Sequence, residues 1–122
     1  MKKMKVDVVE KSGVKYVEGR GSETRIENEG DVVELLRLCG ENLASRLLLH
    51  AENLTEEFFD LRSGQAGMIL QKFVNYHVKV ALLLSRRHVK GRFGEMVLEA
   101  NRGRDFRAFD DKAEAEQWLI SD

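Results

Sequence analysis

Apolar residues recur along this chain with two periods, and the alternation between those periods predicts most of its architecture. Residues 6–10 and 14–18 are β-branched and aromatic runs joined by Lys11, Ser12 and Gly13. Runs of this kind around a Ser-Gly turn predict an antiparallel hairpin. Over 31–40 the period becomes helical: Val32, Leu35, Leu36 and Cys39 share a stripe, Asp31 with Glu34 has capping-box spacing, and Gly40 is the expected stop. Residues 46–50, Arg-Leu-Leu-Leu-His, read as a third strand. A helix over 64–76 carries Ala66, Ile69, Leu70, Phe73 and His77 on one face, with Gly64 and Gly67 in a first turn suited to close backbone approach. The run 78–84 is apolar at nearly every position, as a strand covered on both faces should be. Phe93, Met96, Val97 and Ala100 mark a further helix ending near 101–103. Residues 105–110 alternate, with Phe106 and Ala108 on one side and Arg107 and Phe109 on the other, which predicts a half-exposed edge strand. Asp111 and Glu114 form a second capping-box pair before a last helix packed by Ala115, Trp118 and Leu119.

The order is therefore ββαβαβαβα. It predicts an α/β (α+β) fold: a mixed five-stranded sheet with an N-terminal antiparallel hairpin, parallel central strands and four helices. The strand-helix-strand unit over 45–84 has a parallel pair with a crossover as its natural solution. Gly19, Gly21 and Gly30 punctuate a polar loop whose order the residues leave open. With neither repeat nor linker, residues 1–122 are expected to form a single domain.

Composition narrows the function classes. The 43% hydrophobic and 34% charged residues are those of an ordinary globule, and a net charge of −1 provides no global attraction to nucleic acid or an anionic membrane. Cys39, alone and on an apolar stripe, is expected to be a buried structural thiol in a reducing compartment. No apolar run reaches the roughly 20 residues of a membrane helix. Asp7 and Glu10 interrupt what the basic start, Met1-Lys-Lys-Met-Lys, would need as a signal peptide, so a cytoplasmic location is expected.

Four groups could carry chemistry. At the start of the central helix, Ser63 to Gly67, free amides and the helix dipole favour an anion or a phosphate on Ser63; equally, Ser63 serves as an N-cap. His50 ends a central strand beside Glu52, Asn53, Glu57 and Asp60, where a small polar ligand or a proton shuttle would fit. Those acids also suit the capping of a short helix begun at Thr55. Their spacing matches no metal motif, and no metal or cofactor is expected. The basic run Arg86, Arg87, His88, Lys90 and Arg92 follows the fourth strand and should share the rim of His50 and Ser63, while Arg102 and Arg104 should lie at the opposite end. With few aromatics between them, these cations do not point to nucleic acid. Phe58 and Phe59 cannot both face inward on a short element; they read either as two residues packed beneath a long loop or as one covering the core and the other a partner-binding patch. No nucleophile-base-orienter set and no phosphate-loop or dinucleotide fingerprint is legible.

The segments Leu48-Leu-His50, Glu52-Asn-Leu54, Phe58-Phe-Asp-Leu61, Ser63-Gly-Gln-Ala-Gly67 and Ile69-Leu-Gln-Lys-Phe73 together resemble a bacterial and archaeal family catalogued as domain of unknown function 4180. The likeness runs over about 31–119 and implies no activity. The element order is also similar to that of STAS domains, the anti-sigma-factor antagonist fold, in which a serine at the second helix start is phosphorylated by a partner kinase. That resemblance implies Ser63 as phosphoacceptor, although residues 51–62 here intervene between strand and helix. The expectation is a non-enzymatic, STAS-like regulatory or protein-interaction domain. It would bind a partner protein or a small anionic ligand through His50, Asn53, Phe59, Ser63, Gly64, Gly67, Arg86 and Arg87. The alternatives are a small-molecule enzyme using His50 and Asp60, and an oligomeric scaffold whose hairpin or fifth strand pairs with a second copy as a homodimer.

Overall fold

The computed structural model describes residues 4–121; the basic start read at residues 1–3 lies outside the described residues. Strands β1 (Val6–Lys11) and β2 (Val14–Gly19) form the expected hairpin. Ser12 and Gly13, both at positive φ (53° and 78°), make its two-residue turn, the geometry that matches strand twist. Helix α1 (Glu29–Glu41) leads to β3 (Arg46–His50), the short helix α2 (Glu56–Phe59) and helix α3 (Gln65–Asn75) to β4 (Lys79–Leu83), and α4 (Gly91–Ala100) to β5 (Phe106–Phe109). Helix α5 (Lys112–Ile120) closes the chain. The short α2, within the segment read as a turn, makes five helices where four were expected.

The sheet order is β1-β2-β3-β4-β5, with β1 antiparallel to β2 and each later neighbour parallel. Crossover helices must cover such a sheet, and β3 shows how its sequence divides between them. Leu47 and Leu49 join Val17, Val80 and Leu82 beneath α1, α3 and α4, whereas Leu48 joins Tyr16 and Ala81 beneath Ala115 and Leu119 of α5. Each fully buried leucine contributes about 2 kcal/mol. In β5, Phe106 and Ala108 face the first cluster and Phe109 the second, the alternation expected of an edge strand. Cys39 is buried in the first cluster, and burial pushes its thiol up to about 11. Among the described residues no helix is long and apolar enough to cross a membrane.

Asp111 caps α5 as expected, its side chain accepting from the Ala113 N–H, but the ends of α1 and α3 depart from the expected pattern. Asn28, not Asp31, caps α1: its Oδ1 accepts from the Asp31 N–H (3.1 Å), while the Asp31 carboxylate accepts from the Glu27 N–H (2.8 Å). Glu34 instead pairs with Arg37. Gly40 stays inside the helix, and Leu43, at φ 54°, takes the left-handed position, with Ala44 N–H reaching Cys39 O and Leu43 N–H reaching Gly40 O. That is a Schellman stop without glycine. The end of α3 repeats it: His77 (φ 59°) is exposed beyond the helix, not on the buried face where its spacing put it, and Val78 N–H reaches Phe73 O.

The loop after β2, whose order was open, is fixed by Asn53. Its fully buried carboxamide accepts from the His50 N–H (2.7 Å) and donates to Gly21 O (2.9 Å) and Thr24 O (2.8 Å). Its own C=O accepts from the Ile26 N–H (2.9 Å). Thr24, also buried, accepts from the Arg20 N–H (2.7 Å) and donates to Lys5 O. A Cβ on Gly19 would sit 2.1 Å from Asn53 Oδ1, so only glycine fits there. At the other end of the strands, Arg46 and Lys79 donate to the last carbonyls of α5, where the helix dipole favours cations.

Asn53→Ala should therefore cost about 3 kcal/mol in urea unfolding, because it strands the Thr24 carbonyl and the His50 amide and leaves Gly21 O with only the Thr24 N–H. Gly19→Ala should be destabilising alone and much less so in the Asn53→Ala background, where the clash is gone; additive costs in the double-mutant cycle would contradict this packing.

Candidate functional site

Because β3 and β4 are parallel and end together, with His50 opposite Leu83, the segments that follow them emerge at one rim. Between them lies a cleft of about 900 Å³ lined by Arg25, His50, Glu52, Glu56, Phe59, Ser85, Arg87, His88 and Lys90, among others. Ligands of open α/β sheets sit at this end of the strands.

Three local devices shape it. Phe58 is buried in the core, and Phe59 is left at the rim, edge-on to Phe58 and Phe93 and stacked on the His88 ring with centroids 4.6 Å apart. His88 Nδ1 receives the Ser85 backbone N–H (3.3 Å) and lies 3.0 Å from Ser85 Oγ, holding the Arg86–His88 turn closed. Burial first, and then the charges of Arg87 and Lys90, lower the His88 pKa from its ordinary value. Glu18, at the end of β2 and only 8% exposed, meets His50 Nε2 (2.7 Å) and Lys112 Nζ (3.0 Å) with the same Oε2 oxygen.

The charges of the cleft are unevenly paired. Acids elsewhere on the surface hold Arg20, Arg37 and Lys72 in ion pairs. Among the described residues Arg87 and Lys90 have no such partner, and neither do Glu52 and Glu56 on the opposite wall. Among the described residues no group of three or more His, Cys, Asp and Glu is placed to hold a metal ion.

Of the residues singled out from sequence, His50, Glu52, Phe59, Arg87, His88 and Lys90 come together in the cleft. Asn53 is sealed beneath it, with both ends of its side chain used. Arg86 faces a separate, smaller recess with Val97, Leu98 and Ala108. Asp60 opens on a neighbouring cleft with Arg62, Arg92 and Phe93, and accepts from the Arg62 N–H. His50 and Asp60 therefore line different clefts, and the carboxylate on His50 is Glu18. Ser63 is exposed outside both; its hydroxyl donates to Glu57 O and accepts from the Gln65 N–H (3.1 Å). Gly64 precedes α3 at φ 79°, a glycine conformation, while a Cβ on Gly67 would point into open space, so no close approach explains it. Sequence reasoning missed Glu18, Arg25 and Lys112. Only Glu18 left a trace, as a carboxylate two residues from Tyr16 on a face that is otherwise buried.

With this geometry in view, the chain belongs to the family described as Domain of unknown function (DUF4180), whose model matches residues 11–119 and so spans every residue of the cleft. No curated protein and no solved structure matches the chain.

The lowered His88 pKa has a consequence for stability. Its unfolded form takes up a proton near the ordinary value of 6.5, before the folded form does. Stability from this group is thus complete above that pH and falls as the pH drops through it. Urea unfolding between about pH 7 and pH 5 should show a smaller decline in His88→Gln than in the natural chain. An identical decline would remove His88 from the account.

Proposed function

We propose that this chain is a non-enzymatic binding domain whose working surface is the cleft between the 51–59 and 85–90 segments, and that it takes a small anionic ligand there. One observation carries the reading: Arg87 and Lys90 line a concave, partly aromatic site, and among the described residues neither is held in an ion pair. An anion bound there would form charge-assisted hydrogen bonds without breaking an existing ion pair. Phe59 and His88 give the site a flat, rigid wall, and the Ser85–His88 contact holds that wall before any ligand arrives. The lone acids Glu52 and Glu56 opposite favour a ligand that also carries a hydrogen-bond donor or a positive group. Anchoring the site on β3 and β4, rather than on the start of α3, leaves Ser63 without a role in binding.

Thermal unfolding with inorganic phosphate and with a panel of mono- and dicarboxylates as probes tests the proposal. A ligand at 100 times its Kd stabilises by about 2.7 kcal/mol, which moves the midpoint by several degrees. The shift should shrink with added salt and disappear in Arg87→Ala/Lys90→Ala, while Arg102→Ala/Arg104→Ala retains it. A shift insensitive to the Arg87 and Lys90 changes, or no shift with any anion, overturns the reading.

A further inference from the structure

We propose that β1 is the contact strand of a symmetric homodimer, pairing antiparallel with β1 of a second copy about a two-fold axis at Val9. Strand β1 is the outermost strand on its side of the sheet, and its outer edge has no partner strand among the described residues. Natural sheets guard such edges with proline, bulges, very short strands or charged side chains. The first three are absent: the chain has no proline, and β1 pairs with β2 through six successive residues without a bulge. The charges of β1, Asp7, Glu10 and Lys11, are of both signs, so they bar some registers and favour another. Val8 lies on this edge 45% exposed. The other edge is guarded by its shortness, since β5 has only four residues.

The hairpin turn determines which groups face outward. A two-residue turn makes Lys11 and Val14 the closing hydrogen-bonded pair, so by alternation Lys11, Val9 and Asp7 turn their N–H and C=O inward onto β2. Lys5 keeps the same parity, donating inward to Glu23 O (3.1 Å). Val8 and Glu10 then present theirs to solvent, ready to exchange bonds with an added strand.

Charge selects the register. An axis at Asp7 or Glu10 would set like carboxylates against each other, and an axis at Val8 would set Lys5 against Lys11 of the second copy. An axis at Val9 instead puts Asp7 opposite Lys11 of the second copy, twice, and Val9 opposite its own equivalent. Both charges keep exposed surface while paired within the chain, Asp7 to Arg20 (2.6 Å) and Lys11 to Glu116 (2.7 Å). Across the axis the sequence of charges becomes Arg20, Asp7, Lys11, Glu116, with alternating sign. Cross-strand pairs of opposite charge favour a register and like pairs oppose it.

Sedimentation of the full chain and oxidative cross-linking test the proposal together. The natural chain should sediment with twice the mass of one chain. Val8→Pro removes an outward N–H and should sediment as a monomer with an unchanged circular dichroism spectrum. Should that variant misfold, the cross-link decides alone. Asp7→Cys/Lys11→Cys should form a disulfide-linked dimer on oxidation, because a non-hydrogen-bonded antiparallel pair brings the two thiols within bonding distance. Asp7→Cys and Lys11→Cys singly should not, and the buried Cys39 should take no part. A monomeric natural chain overturns the proposal, as does a dimer in which the double variant fails to cross-link.

Discussion

The carboxamide of Asn53 has no access to water, so each of its hydrogen-bonding groups must be met from within. The backbone N–H of His50 meets one end and the carbonyls of Gly21 and Thr24 the other. A parallel sheet releases its connections at the C-terminal ends of the strands, where loops have no ladder to join. Here one buried amide substitutes for the ladder, binding the loop after β2 to the turn after β3. The Ile26–Leu54 bridge extends that join by one parallel step. Arg25 and Glu52 are neighbours across the cleft because of it, though nothing connects them along the chain. The bare Cα of Gly19 belongs to the same constraint.

The two ends of the sheet use positive charge differently. At the start of the strands, Arg46 and Lys79 are spent on the carbonyls that end α5, and Lys79 also lies over the Trp118 ring (4.4 Å). Those cations replace the missing hydrogen bonds of a helix terminus. At the other end, the turn after β4 is closed by Ser85 and His88, which frees Arg87 and Lys90 from any such duty. The buried Glu18, shared by His50 and Lys112, adds a negative point beneath this rim on the α5 side. The rim thus carries Arg87 and Lys90 on one wall and Glu52 and Glu56 on the other, with the paired carboxylate of Glu18 below.

Much of this was legible in the residues. The alternation of periods placed every strand, and the parallel β3–β4 pair put His50 and Arg87 at one rim. The adjacency of Phe58 and Phe59 indicated that they could not both point inward, and only Phe58 is fully buried. What escaped notice depends on partners distant in sequence. Asn53 looks like a turn residue until Gly21 and Thr24 are brought to it. Glu18 looks like a strand terminus until His50 and Lys112 converge on it. Local competition accounts for the shifted caps: Asn28 offers an acceptor before Asp31 does, and a left-handed Leu43 ends α1 beyond the glycine. His77 has the right spacing for the face of α3 but comes two residues after Asn75, the last residue of the helix.

The strand order follows the chain order without exception, from β1 at one edge to β5 at the other. Each strand therefore finds its neighbour by closing only the turn or the helical segment between them, which keeps the entropic cost of every step small. During synthesis, each strand-and-helix unit can settle on the edge left by the one before, and no strand has to insert between two already paired. Helix α5, last to emerge, then covers the second face, where Tyr16, Leu48 and Ala81 wait from three successive strands. Until it does, that whole side of a nascent sheet stays uncovered. The nine-residue α5 is therefore the segment without which the apolar side chains of the second face stay open to aggregation.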